Sequence, residues 1–343
     1  MSESADYTPA PHWKGYDFNS ARASYVDNVV RRSYTDAVSK NVVATDLVPD
    51  RVVSKAHRPL VIVCDVTGSM GNWPSVIFSK LPYLEHEGKV YLGDDFEVCF
   101  AAVGDVFNDK YPLQVQPFAS GVQLKESLEK LIIEGGGGAT GEESYDIAGL
   151  YFARNCDMPD AIGKPILVFI GDEGIYNFID KASAKNWSRA DVDGLTPEKM
   201  FEELKKKFSV YIIRKCYGAG TQDDDTSKGY DDNTAVQKQW VNMLGADHVA
   251  SLPTADRVVD VLFGILGKET GKGDYFATEL KDRQMKDADG KTKINVVMKS
   301  LHSIHRPSVK KLPAPSAAKS VTRKNSASVG KKSISLLDDD DKA

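Results

Sequence analysis

Hydrophobic positions in this chain fall into short unbroken runs separated by longer stretches with helical spacing. Residues 60–64, 96–103, 165–170 and 210–213 are near-continuous apolar runs, the pattern of strands covered on both faces. Residues 112–118 alternate more clearly and carry Pro112 and Pro117, which suits an edge strand paired as a hairpin with 96–103. A helix opens at Asn72-Trp73-Pro74, since proline fits a first helical turn, and Val76, Ile77, Leu81 and Leu84 give it an apolar face. Further helices are predicted over 124–133, through Ile147, Leu150 and Tyr151, and over 197–208, 234–244 and 256–266, with a short strand near Val249. Strands alternating with helices across 59–267 predict one α/β domain on a largely parallel sheet.

The flanks read differently. Residues 1–58 hold His12, Trp13, Tyr16 and Phe18 and a predicted helix over 21–39 with Tyr25, Val29 and Val30 on one side. Such apolar content predicts an N-terminal extension that packs on the domain, and a partner-binding arm is the alternative. Residues 268–306 form a C-terminal extension, with Ile294-Asn-Val-Val-Met298 as a strand or helix. From 307 to 343 the chain is rich in Pro, Ser and Lys, the composition of a disordered basic tail. Its acidic end, Asp338-Asp-Asp-Asp-Lys342, equals an enterokinase recognition string and carries no functional reading.

Composition narrows the class. The 343 residues are 41% hydrophobic and 27% charged, with a formal net charge of -5, as expected of a soluble globular protein. That balance argues against a dedicated nucleic-acid binder. No apolar stretch reaches membrane-spanning length, and Met1-Ser-Glu-Ser-Ala-Asp6 lacks the regions of a signal peptide. Cys64, Cys99, Cys156 and Cys216 form no C-x-x-C pair. A reduced, cytoplasmic protein is the expectation.

The chemistry concentrates where apolar strands end. The run 60–64 stops at Asp65-Val-Thr67-Gly-Ser69, one carboxylate and two hydroxyls at alternate positions. Mg²⁺ or Mn²⁺ takes oxygen ligands of this mixed kind. An Asx-type turn capping the next helix is the plainer alternative. The run 165–170 ends similarly in Gly171-Asp172-Glu173-Gly174, and Gly135-Gly-Gly-Gly138-Ala-Thr140-Gly-Glu142-Glu143-Ser144 lies between them. Ligands of open α/β sheets gather beyond strand C-termini where chain order reverses, and the glycines let the loop bend over those ends. Asp65, Thr67, Ser69, Asp172 and a loop residue are therefore candidate ligands of one divalent cation. Asp105 ends the 96–103 run, where a turn role competes with a site role. A haloacid-dehalogenase mechanism needs a second carboxylate at position 67, which is Thr67. No G-x-x-x-x-G-K-[ST] loop is present, and His12, His57, His86, His248, His302 and His305 are scattered.

Together these motifs resemble a von Willebrand factor type A domain with a metal-ion-dependent adhesion site, over about residues 59–267. Asp65-Val-Thr67-Gly-Ser69 is similar to that family's D-x-[ST]-x-S, and Ile170-Gly-Asp172-Glu-Gly174 to its [TG]-D-G strand end. The resemblance implies a Rossmann-like three-layer sandwich. Its mostly parallel six-stranded sheet has the order 3-2-1-4-5-6, one antiparallel edge strand and helices on both faces. The loop departs from the commoner family pattern, which places a threonine just before the third helix. Thr140 is the nearest such residue but falls a turn early. Glu143 sits better and resembles the P-E-G-G loop of integrin β-subunit domains, where a glutamate is the ligand. Glu143 and Thr140 both stay candidates, with Ser144 behind them as ligand or helix cap, while Glu142 and Glu173 are read as solvated or supporting. The resemblance implies a non-catalytic module whose bound Mg²⁺ (or Mn²⁺ or Ca²⁺) captures an Asp or Glu of another protein, such as an AAA+ ATPase assembly. The alternatives are a Mg²⁺-dependent hydrolase or phosphatase using the same pocket, and an RNA-associated protein like the Ro autoantigen.

Overall fold

A computed structural model describes residues 34, 37–71, 73–80, 83–135, 141–217 and 230–304. Most of the helix expected over 21–39, Thr140, His305 and the tail expected over 307–343 lie outside the described residues. Ten strands occur among those described: β1 (Val52–Val53), β2 (Leu60–Asp65), β3 (Val98–Val103), β4 (Leu113–Val115), β5 (Glu142–Glu143), β6 (Cys156–Asp157), β7 (Ile166–Gly171), β8 (Gly174–Ile175), β9 (Ser209–Lys215) and β10 (Val249–Leu252). Six of them build the main sheet in the order β10-β9-β7-β2-β3-β4. All neighbours are parallel except the edge strand β4, which runs antiparallel to β3. The numbering differs from the expected 3-2-1-4-5-6 because two-residue strands pair separately as β1-β6 and β5-β8. Counted over the main sheet alone and read from β4 to β10, the succession is third, second, first, fourth, fifth, sixth. Chain order therefore reverses between β2 and β7.

The helices are α1 (Trp73–Lys80), α2 (Tyr83–Leu92), α3 (Gln123–Glu129), α4 (Tyr145–Asn155), α5 (Lys181–Ser188), α6 (Pro197–Lys207), α7 (Tyr230–Leu244), α8 (Val258–Glu269), α9 (Gly273–Gln284) and α10 (Gly290–Ser300). Side chains alternate across the sheet with period two, so each strand feeds two apolar layers. Leu60, Ile62 and Cys64 of β2 join Val168, Ile170 and Ile213 on one face, packed with Ile77, Leu84, Leu262 and Leu266. Val61 and Val63 join Leu167, Phe169 and Ile212 on the other, packed with Leu150, Phe201, Leu204 and Trp240. Burial on both faces is why these strands read as continuous apolar runs.

Several elements depart from expectation. The helix predicted over 124–133 ends at Glu129, and Leu131, Ile132 and Ile133 are buried in irregular chain instead. The strand predicted over 112–118 shortens to Leu113–Val115. Helices α2 and α5 were not anticipated as separate elements. The 268–306 segment forms helices α9 and α10, and Phe276, Leu280, Val297, Leu301 and Ile304 continue the first apolar layer. On the N-terminal side Val48 and Val52 enter the second layer, and β1 pairs with β6. Among the described residues no helix is long and apolar enough to cross a membrane.

Candidate metal centre

Sheet register brings the strand ends level. Cys64 of β2 stands beside Ile170 of β7, which places Asp65 beside Gly171 one residue on. Gly171 in turn stands beside Arg214 of β9, so Asp172 is level with Lys215. Asp65 is fully buried. Its Oδ1 accepts from the Thr67 N–H at 2.9 Å and from Thr67 Oγ1 at 2.6 Å. Its Oδ2 accepts from the Tyr145 hydroxyl at 2.6 Å. Thr67 Oγ1 lies 3.2 Å from Ser69 Oγ, and Ser69 Oγ donates to Asp172 Oδ1 at 3.0 Å. Asp65 thus makes an Asx-type turn, and its oxygens join a hydrogen-bonded set with Thr67, Ser69 and Asp172. Thr67 stays on Asp65, while Ser69 reaches the acid after the next strand. Gly171 is required here, because a Cβ at that position would collide with the Tyr145 hydroxyl on its way to Asp65.

The glycine-rich loop delivers Glu143. Gly141 has φ +75°, open to glycine, and its carbonyl accepts from the Gly174 N–H at 3.2 Å. Glu142 and Glu143 then pair with Gly174 and Ile175 as the small parallel β5-β8 ladder. This ladder ties the loop to the turn that carries Asp172. Glu143 is fully buried, and neither of its carboxylate oxygens has a hydrogen-bond partner among the described residues. Burial, then the charges of Asp65, Asp109, Asp105 and Asp172, push its carboxyl far above the usual carboxylate range. Burial and then Asp172 likewise raise Asp65, opposed by the hydrogen bonds from Thr67 and Tyr145. Ser144 does not cap α4 through its side chain. Its Oγ instead accepts from the Val106 N–H at 3.0 Å, which ties the loop to the turn after β3.

In that turn Asp105 is buried and structural. Its Oδ1 accepts from the Phe107 N–H at 3.0 Å and its Oδ2 from the Asn108 amide. Glu142 is half-buried, but Glu173, expected to be solvated or supporting, is buried in the turn itself. Its carbonyl accepts from Trp240 Nε1 at 3.0 Å, so the turn is anchored to the second apolar layer. Phe107 follows Asp105, and Tyr176 and Phe178 follow Asp172. Their rings meet at 5.1 Å (Phe107–Tyr176) and 6.0 Å (Phe107–Phe178), and Phe107 and Phe178 are half-exposed.

Sequence reasoning missed a basic residue. Lys215 is buried; its ammonium donates to the Ser69 carbonyl and lies 3.6 Å from Asp172 Oδ2. Tyr217 hydrogen-bonds the same Asp172 carboxylate. The available signal was a third apolar strand ending in Arg214-Lys215 where the other two end in acids. Only the β7-β9 register shows that Lys215 meets Asp172.

The donors are carboxylate and hydroxyl oxygens, the set that suits a hard divalent cation. Among the described residues no three His, Cys, Asp or Glu groups are placed to hold a metal by themselves, so Thr67 and Ser69 would have to share the coordination. A carboxylate buried without a donor needs a proton or a cation, and Glu143 meets that test. The structure brings Asp65, Thr67, Ser69 and Asp172 into one hydrogen-bonded chain, with Glu143 coupled to it by charge.

No family model matches the chain, and no curated protein matches it. Among solved structures it is similar to two crystal structures of the pilus adhesin SpaC from Lactobacillus rhamnosus GG, one of them in an open conformation. The identities are 12% and 11% and the TM-scores 0.38 and 0.41, over 70% of this chain in both cases. The chain spans 31% and 30% of the length of those structures.

Proposed function

We propose that this chain is a metal-dependent protein-binding module of the von Willebrand factor type A kind. Asp65, Thr67, Ser69, Asp172 and Glu143 would hold one Mg²⁺, Mn²⁺ or Ca²⁺, with Thr140 the alternative loop ligand. The observation that carries the reading is Glu143: a fully buried carboxylate without a hydrogen-bond partner among the described residues, beside two further buried acids. Unsatisfied buried carboxylates are costly, and the surrounding acids make this one costlier.

When bound, the cation supplies a coordination position that an Asp or Glu of a partner protein can fill. The chain's own residues prepare for that contact. Tyr145 and Thr67 fix both oxygens of Asp65. Ser69 bridges to Asp172 across the reversal in chain order. The β5-β8 ladder holds Glu143 against the Asp172 turn. Phe107 and Phe178, packed on the buried ring of Tyr176, offer an aromatic rim a few residues from the acids, as protein-binding surfaces favour. A non-catalytic role fits the hydroxyl at position 67, where a hydrolase of the haloacid type needs an acid. Four free thiols, three of them buried, fit a cytoplasmic adaptor, and an AAA+ ATPase assembly is a partner class that the family resemblance suggests.

Calorimetry on the full chain tests the reading. One site for Mg²⁺ or Mn²⁺ is expected, lost in Asp65→Ala and Asp172→Ala, with Glu143→Gln and Thr140→Ala deciding the loop ligand. No divalent binding at millimolar concentration overturns it.

A further inference from the structure

β9 brings the opposite charge to the same cluster. Lys215 is its last residue, and its ammonium is held between the Ser69 carbonyl and Asp172. The side chain of Lys215 is 5% exposed and that of Asp172 0%. Burying an ammonium is expensive unless charges and hydrogen bonds compensate it. Its neighbour Arg214 is occupied elsewhere, donating to Gln237 Oε1 at 2.8 Å and to the Lys215 carbonyl at 3.1 Å. Lys215 is thus the basic side chain that β9 directs at the acids, and the ring of Tyr217 lies 5.7 Å from its ammonium.

We propose that Lys215 is a fixed counter-charge of the centre, one that weakens divalent binding and lets a partner's carboxylate approach the occupied site. The inference rests on the metal-binding reading above. Asp65, Glu143 and Asp172, ionised around a divalent cation, leave one negative charge, and a like charge at close range is disfavoured. The Lys215 ammonium cancels that excess, so an incoming Asp or Glu meets a neutral centre. The same positive charge opposes the cation itself, so affinity for the metal is lowered. Because Lys215 touches Ser69 and Asp172 at once, it acts on both strand ends that the reading assigns to the metal.

The test uses Mn²⁺ as the metal and acetate as a minimal carboxylate. Mn²⁺ binding is followed by electron paramagnetic resonance, and acetate by loss of water-proton relaxation enhancement as it displaces Mn²⁺-bound water. Lys215→Met and Lys215→Gln remove the charge, Lys215→Arg keeps it, and melting curves in EDTA establish that each variant is folded. The neutral variants should bind Mn²⁺ at least about tenfold more tightly. Acetate should lower the enhancement in wild type and Lys215→Arg, and at least about tenfold more acetate should be needed in Lys215→Met and Lys215→Gln. Equal Mn²⁺ affinity in wild type and the neutral variants, with binding still lost in Asp65→Ala, overturns the role of Lys215 and leaves the metal site standing. Acetate that acts equally on all variants, or on none, overturns it too. No Mn²⁺ binding by any of them removes the metal site itself, and this proposal with it.

Discussion

Two buried acids in this molecule meet opposite fates. Asp260, in the first turn of α8, accepts from Arg257 Nη1 at 3.0 Å and lies 3.8 Å from Arg283 Nη2. Arg283 also donates to the Tyr83 hydroxyl at 2.6 Å, so the group links α8 to α9 and α2. Glu143 is buried more completely, yet neither of its oxygens has a hydrogen-bond partner among the described residues, and Asp65 and Asp172 add repulsion. Buried polar groups are ordinarily paired, and at Asp260 this fold supplies the partners. Asp260 serves packing, and two guanidinium groups hold it. Glu143, at the reversal in chain order, has no such partner among the described residues, which is the feature the proposed metal site would explain.

The largest expected effect tests the structural half of that contrast. Asp260→Ala leaves Arg257 and Arg283 without their carboxylate, and urea unfolding should show a loss of about 3–5 kcal/mol, with metal binding unchanged. A smaller effect of opposite sign is expected at the other acid. Glu143→Met removes an unsatisfied carboxylate from an apolar surrounding and should stabilise the protein in EDTA by about 1–3 kcal/mol. The same variant should lose the added stability that Mg²⁺ gives the wild type. If Glu143→Met costs as much as Asp260→Ala in EDTA, the two acids are alike and the contrast fails.

The smallest effect is in pH dependence. Burial holds the Asp146 carboxyl up to about 7. Burial, helped by Glu134 and Asp105 and opposed by the Asp105 N–H, holds Asp109 at about 6. In the unfolded chain both titrate near 4, so between those values the native state binds more protons. Their contribution is therefore fully present below about 4 and is lost as pH rises to about 6 for Asp109 and about 7 for Asp146. In EDTA, unfolding free energy should decline over that interval, and Asp146→Asn should flatten the upper part of the decline. An Asp146→Asn profile parallel to wild type would remove Asp146 from the account.

Much of this molecule could be read directly from the chain. Continuous apolar runs identified β2, β3, β7 and β9, because a strand covered on both faces has no polar side to show. The acids that end β2 and β7 stood out as the first polar residues after such runs, and the glycines before Glu143 marked a loop able to bend over them. Helix ends were less readable. Leu131, Ile132 and Ile133 look like another helical turn but are buried as irregular chain, since apolar spacing reports burial and not backbone hydrogen bonding. Tertiary structure alone decided which groups meet. Tyr145 reaches Asp65 only because Gly171 leaves room beside it. Lys215 faces Asp172 only through the β7-β9 register. Glu143 has no hydrogen-bond partner among the described residues because of what surrounds it in space. The residue types, and so the available chemistry, were set by sequence. Their partners and charge balance depended on contacts between residues 40 to 100 or more positions apart, which local pattern does not encode.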